Sequence, residues 1–102
     1  MASRLELHEQ LCTLLGNRNV YFQPPEGTKI YYPCVIYERA RLNSRYANDG
    51  IYLGRKQYTL ILVYEDPDSE LPDKLLSGFS LISHDRASQA DNLYHDAYEL
   101  YW

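Results

Sequence analysis

The run Gln57-Tyr58-Thr59-Leu60-Ile61-Leu62-Val63-Tyr64 constrains this chain more than any other stretch. Tyr58, Leu60, Leu62 and Tyr64 share one parity, and Thr59, Ile61 and Val63 share the other, as in a strand whose side chains alternate between two faces. Such a strand needs partners, so the chain has to be built around a sheet. The nearest partner is Ile30 to Arg39, with Pro33 near its start and Cys34-Val35-Ile36-Tyr37 at its centre. Apolar residues on both parities there predict burial on both faces. The two strands pair most simply antiparallel. Arg41 to Arg55, polar and turning at Asn48-Asp49-Gly50, reads as a long hairpin arm or a mobile loop, ordered by a neighbour.

The flanking segments supply the other layer. Ser3 and Glu6 form a capping-box pattern, and Leu7, Leu11, Leu14 and Leu15, widened by Leu5 and Cys12, make a helical stripe over Ser3 to Leu15. Gly16 fits the position just past the helix. Val20 to Gln23 is a short strand stopped by Pro24-Pro25. After Tyr64, the acid-rich Glu65-Asp66-Pro67-Asp68-Ser69 opens a short helix through Leu71, Leu75 and Leu76 to Gly78. Asp66, Asp68 and Ser69 are candidate caps, and Pro72 is tolerated in the first turn. Phe79 to His84 is expected as a strand, Asp85 to Asp91 as a polar turn, and Asn92 to Trp102 as a final strand. The order α-β-β-β-α-β-β predicts one α+β domain over 1–102. Its sheet is mostly antiparallel, with the N-terminal helix and the second short helix packed on one face.

Composition narrows the function. A net charge of -4 disfavours a globally basic nucleic-acid binder. Eleven tyrosines suit strands and wet interfaces better than a dry core, because each hydroxyl still needs a partner. Cys12 and Cys34 are far apart in apolar settings and read as buried thiols of a reducing compartment. Met1-Ala2-Ser3-Arg4 running into a charged amphipathic stretch predicts no secretory leader, and no apolar run reaches the ~20 residues of a membrane span.

Few residues carry the spacing of a reaction centre. The dipeptides His84-Asp85 and His95-Asp96 are the candidates for metal or general-base work. Neighbours on a strand point to opposite faces, so His95 and Asp96 cannot both serve one site and are read as exposed or interface groups. The acids Glu65, Asp66, Asp68, Glu70 and Asp73 lack the spacing of a calcium loop. No nucleophile elbow or phosphate-cradling glycine loop is present, so neither catalysis nor a cofactor is expected. Charge placement is more telling. Arg39, Arg41, Arg45, Arg55 and Lys56 are opposed only by Asp49, whereas from Glu65 onward nine acids face Lys74 and Arg86 alone. That asymmetry fits either ordinary solvated faces or copies meeting head to tail, which close into a ring when the rotation permits.

Three segments resemble a family of small tail proteins of long-tailed phages. They are Val20-Tyr21-Phe22-Gln23-Pro24-Pro25 leading to Tyr32-Pro33-Cys34-Val35-Ile36-Tyr37-Glu38; Tyr64-Glu65-Asp66-Pro67-Asp68-Ser69-Glu70-Leu71-Pro72-Asp73-Lys74-Leu75; and Asp91-Asn92-Leu93-Tyr94-His95-Asp96 with an aromatic end. The pattern looks like the tail terminator, or tail completion, group. The resemblance implies an α+β virion structural protein of the tail or neck, made in the host cytoplasm, with no enzymatic activity, no cofactor and no membrane. It implies a hexameric ring of identical copies that caps the tail tube and joins it to the head–tail connector, with DNA passing through the lumen. Arg39, Arg41, Arg45, Arg55 and Lys56 are then candidates for a subunit interface or the DNA path. Asp85, Asp91, Asp96, Tyr98, Tyr101 and Trp102 are further interface candidates. A neck or head-closure protein of the same module, and a small monomeric phage binding module, are the alternatives.

Overall fold

In the computed structural model, which describes residues 3–40 and 56–102, the alternating run is a strand with the expected bounds. The elements are α1 (Arg4–Leu15), β1 (Val20–Phe22), β2 (Cys34–Arg39), β3 (Gln57–Tyr64), α2 (Leu71–Ser77), β4 (Ile82–Ala90) and β5 (Leu93–Tyr101). They form a five-stranded sheet in the order β1-β2-β3-β5-β4. β1 runs parallel to β2, and every other pair is antiparallel. The fold is α+β, with α1 and α2 sharing one face of the sheet.

α1 starts where its cap predicts: Ser3 Oγ accepts the Glu6 amide at 3.2 Å. It stops at Gly16, whose φ of 82° is the left-handed conformation that glycine adopts without a Cβ clash. Leu7, Leu11, Cys12 and Leu15 are buried against the sheet, whereas Leu5 is 65% exposed and drops out of the stripe. Val35 and Tyr37 of β2, Tyr58, Leu60 and Leu62 of β3, and Tyr98 and Leu100 of β5 complete the core from the same sheet face. Tyr37 keeps its hydroxyl partnered: Arg4 donates to it at 3.0 Å, and His8 Nδ1 lies 2.8 Å away. Arg4 also lies 4.4 Å over the Phe22 ring.

Three elements differ from expectation. β2 begins at Cys34, not Ile30, because Pro33 has no N–H for a ladder and the Tyr31 amide bonds to the Tyr21 hydroxyl. The acidic segment before α2 is a turn rather than helix. Asp66 Oδ1 accepts the Asp68 amide at 2.9 Å and Ser69 Oγ accepts that of Leu71 at 3.2 Å, so the helix starts only at Leu71, with Leu75 buried and Leu76 exposed. The largest difference is β4. Phe79 to Leu81 precede it, and Asp85 to Ala90, expected as a turn, are strand, with a bulge between His84 and Arg86. The turn itself is only Asp91-Asn92, both at positive φ as a two-residue hairpin loop requires. The expected arm at Arg41 to Arg55 lies outside the described residues.

Candidate functional site

β4 and β5 bring together residues that their dipeptides keep apart. Asp96 is only 6% exposed. Its Oδ2 accepts the Tyr64 hydroxyl at 2.5 Å, and its Oδ1 lies 3.0 Å from His84 Nε2. An ionised carboxylate can only accept, so His84 Nε2 carries the proton of that contact. The Tyr64 and Tyr94 rings stack with centroids 5.5 Å apart, and His84 sits edge-on to Tyr98 at 5.2 Å. Burial, then the bond to Asp96, pushes the Tyr64 phenol up to about 12, and burial with Asp96 nearby raises that of Tyr98 as well. One carboxylate thus rivets β3, β5 and β4 through a tyrosine and a histidine. The network holds the three strands together and positions a half-exposed imidazole at the sheet edge.

The five basic candidates divide. Arg39 is exposed at the end of β2, its amide bonded to Gln23 Oε1 at 3.2 Å. Lys56 is exposed just before β3, its carbonyl accepting the Trp102 amide at 2.9 Å. Arg41, Arg45 and Arg55 lie outside the described residues. Of the other candidates, Asp85 is exposed beside the bulge and Asp91 in the β-turn, while Tyr101 and Trp102 are half-buried. Trp102 Nε1 donates to the Ser3 carbonyl at 2.9 Å. Two assignments need correction: Asp96 is nearly buried and Tyr98 fully so. They belong to the interior of the subunit because their parity on β5 points them to the helix-covered side.

The register also polarises the molecule. Arg39 pairs near Tyr58, placing Arg39 and Lys56 at one end of the central strands. Tyr64 pairs with Tyr94, which puts Glu65, Asp66 and Asp91 at the other. An eight-residue strand separates the two ends by about 27 Å. The same far end brings together parts of the three segments quoted above, namely Pro33, the stretch from Tyr64 to Leu71, and Tyr94 with Asp96, whereas β1 runs parallel to β2 toward the Arg39 end. Pro33, Tyr64, Glu65, Asp66, Ser69 and Leu71 line a concave space of about 160 Å³ there, and Tyr94 and Asp96 join it through Tyr64.

Among the described residues, the sheet's other face has no helix over it. There β3, β5 and β4 form a hollow of about 310 Å³ lined by Ile61, Arg86, Ser88, His95 and Ala97. The register explains the grouping: Ser88 lies opposite His95, and Ala97 lies between Ile61 and Arg86. Among the described residues, His95 Nδ1 and, on the core side, Tyr98 Oη are buried without a hydrogen-bond partner. Each such group costs about 1–3 kcal/mol. Sequence reasoning missed both the His84–Asp96 contact and this hollow, since each depends on a cross-strand register shifted by a bulge.

Among the described residues no group of three or more His, Cys, Asp or Glu side chains is placed to hold a metal ion, and no helix is long and apolar enough to cross a membrane. Comparison with protein-family models, curated proteins and solved structures finds no match for the chain.

Proposed function

We propose that this protein is a non-enzymatic structural subunit of the tail or neck of a long-tailed phage. In this reading it is a tail terminator whose copies form a ring, six by the resemblance, capping the tail tube beneath the head–tail connector. The observation that carries the reading is the meeting of parts of the three resembling segments. Distant in the chain, Pro33, the stretch from Tyr64 to Leu71, and Tyr94 with Asp96 converge on one end of the sheet around Tyr64, as parts of one contact surface would, while Val20 to Pro25 runs on toward the other end. The separation of Arg39 and Lys56 from Glu65, Asp66 and Asp91 supports a head-to-tail contact between copies, because a ring needs two different, complementary patches on each subunit.

Sedimentation and negative-stain imaging of the purified protein at micromolar concentration test the proposal. Closed rings at low salt that dissociate as salt rises are expected, since exposed pairs are screened beyond roughly 8 Å at physiological ionic strength. Reversing Arg41 and Arg45 to Glu should weaken the rings while leaving the melting temperature unchanged. A monomer at every concentration and salt would favour the monomeric binding module.

A further inference from the structure

The hollow on the uncovered sheet face has the makings of a carboxylate seat. Arg86 is the only Lys or Arg in the β4–β5 hairpin. Among the described residues its guanidinium has no partner, although acids are close along the chain. Glu99, two positions from Ala97 on the same face of β5, is engaged instead by Gln57, which donates to Oε2 at 2.8 Å. Asp85 is displaced by the bulge. Ser88 adds a hydroxyl directly across from His95, and the small side chains of Ala97 and Ser88 leave the floor low between Ile61 and Arg86. The volume of about 310 Å³ exceeds what one water or a monatomic ion fills. His95 Nδ1 is the unsatisfied polar atom of this wall.

We propose that this hollow seats the carboxylate of an acidic side chain from a second copy of the chain, an inference that rests on the ring-forming reading above. The guanidinium offers paired N–H donors to both carboxylate oxygens, with Ser88 and His95 as further donors. Charge complementarity selects the occupant. The chain carries a net charge of -4 and presents exposed Glu65, Asp66 and Asp68 together at the far end of the sheet. That acidic end and the hollow are two different patches, as a heterologous contact requires.

The test combines sedimentation velocity on wild type, Arg86→Gln and His95→Gln with imidazole NMR of His95 during titration with glutarate, a soluble dicarboxylate. Circular dichroism checks that both variants fold. The expected result is self-association of wild type weakened at least tenfold in each variant, with millimolar glutarate competing against assembly and shifting the His95 ring resonances. Rings equally strong in both folded variants would overturn the seat while leaving the assembly reading standing. A wild type that never self-associates would overturn both, and saturable glutarate shifts in that monomer would reassign the hollow to a free small carboxylate. Assembly unaffected by glutarate that does shift His95 would likewise overturn a second copy as the occupant.

Discussion

The two faces of the sheet are made by the same strands and do different work. On the helix-covered side, Val35, Tyr37, Tyr58, Leu60, Leu62, Tyr98 and Leu100 close against α1 and α2 with almost no exposed surface. On the other side Ile36, Ile61 and Ala97 stay half-exposed beside Arg86, Ser88 and His95, and of the described residues only Cys34 and Val63, paired toward the Tyr64 end, are buried there. Strand alternation sets which residues fall on each side, since each step along β3 or β5 crosses from one side to the other. One side therefore holds the fold together, and the other is free to be chosen for what it meets.

The sharpest break between the faces comes from adjacent residues. Leu62→Ala removes a fully buried side chain of the core and should cost about 2–5 kcal/mol. Its neighbour Ile61→Ala, on the uncovered side, should cost about 1 kcal/mol or less. Urea titration of the two variants checks this, and equal losses would mean that the second face is a core too. Next in size is Asp96→Ala, which strips Tyr64 and His84 of their shared acceptor. It should cost about 1–3 kcal/mol, moderated because His84 is partly open to solvent.

Smaller effects sit at the edge of α1. Ser3→Ala removes the side-chain cap and should lower stability by about 1 kcal/mol in a thermal melt. Below that lies a pH effect at His8. Burial first, and Arg4 second, hold its imidazole below the ordinary 6.5. The unfolded chain thus takes up the proton before the folded one. The contribution is complete above the unfolded value near 6.5 and is lost as pH falls through the lower folded value. Melting temperatures followed from pH 7.5 downward should decline less steeply in His8→Gln than in wild type.

What was legible in the sequence follows the same division. β3 is read to the residue because one parity is Tyr58, Leu60, Leu62 and Tyr64 while the other adds only Ile61 and Val63 to Gln57 and Thr59. α1 is read because Ser3, Gly16 and the leucine stripe agree with one another. β4 was not legible beyond His84: Asp85 to Ala90 is polar and exposed, with no alternation to mark a strand, and is extended because β5 pairs with it. The candidate site depends on that pairing. His84 meets Asp96 diagonally across β4 and β5, near a bulge that no local pattern announces. Asp96 and Tyr98 read as interface candidates for a related reason, although both are buried. Charge and hydroxyl argue for water, but parity on β5 decides the side.

Trp102 carries a practical consequence. It is the only tryptophan in the chain, and its indole N–H is tied to the Ser3 carbonyl at the start of α1 while its ring meets Phe79 edge-on at 5.8 Å. Its fluorescence is therefore a native optical gauge of whether the first helix is docked. Excited selectively at the red edge, where the eleven tyrosines absorb little, it should shift and change intensity when that helix lifts away, even while the strands of the sheet remain paired.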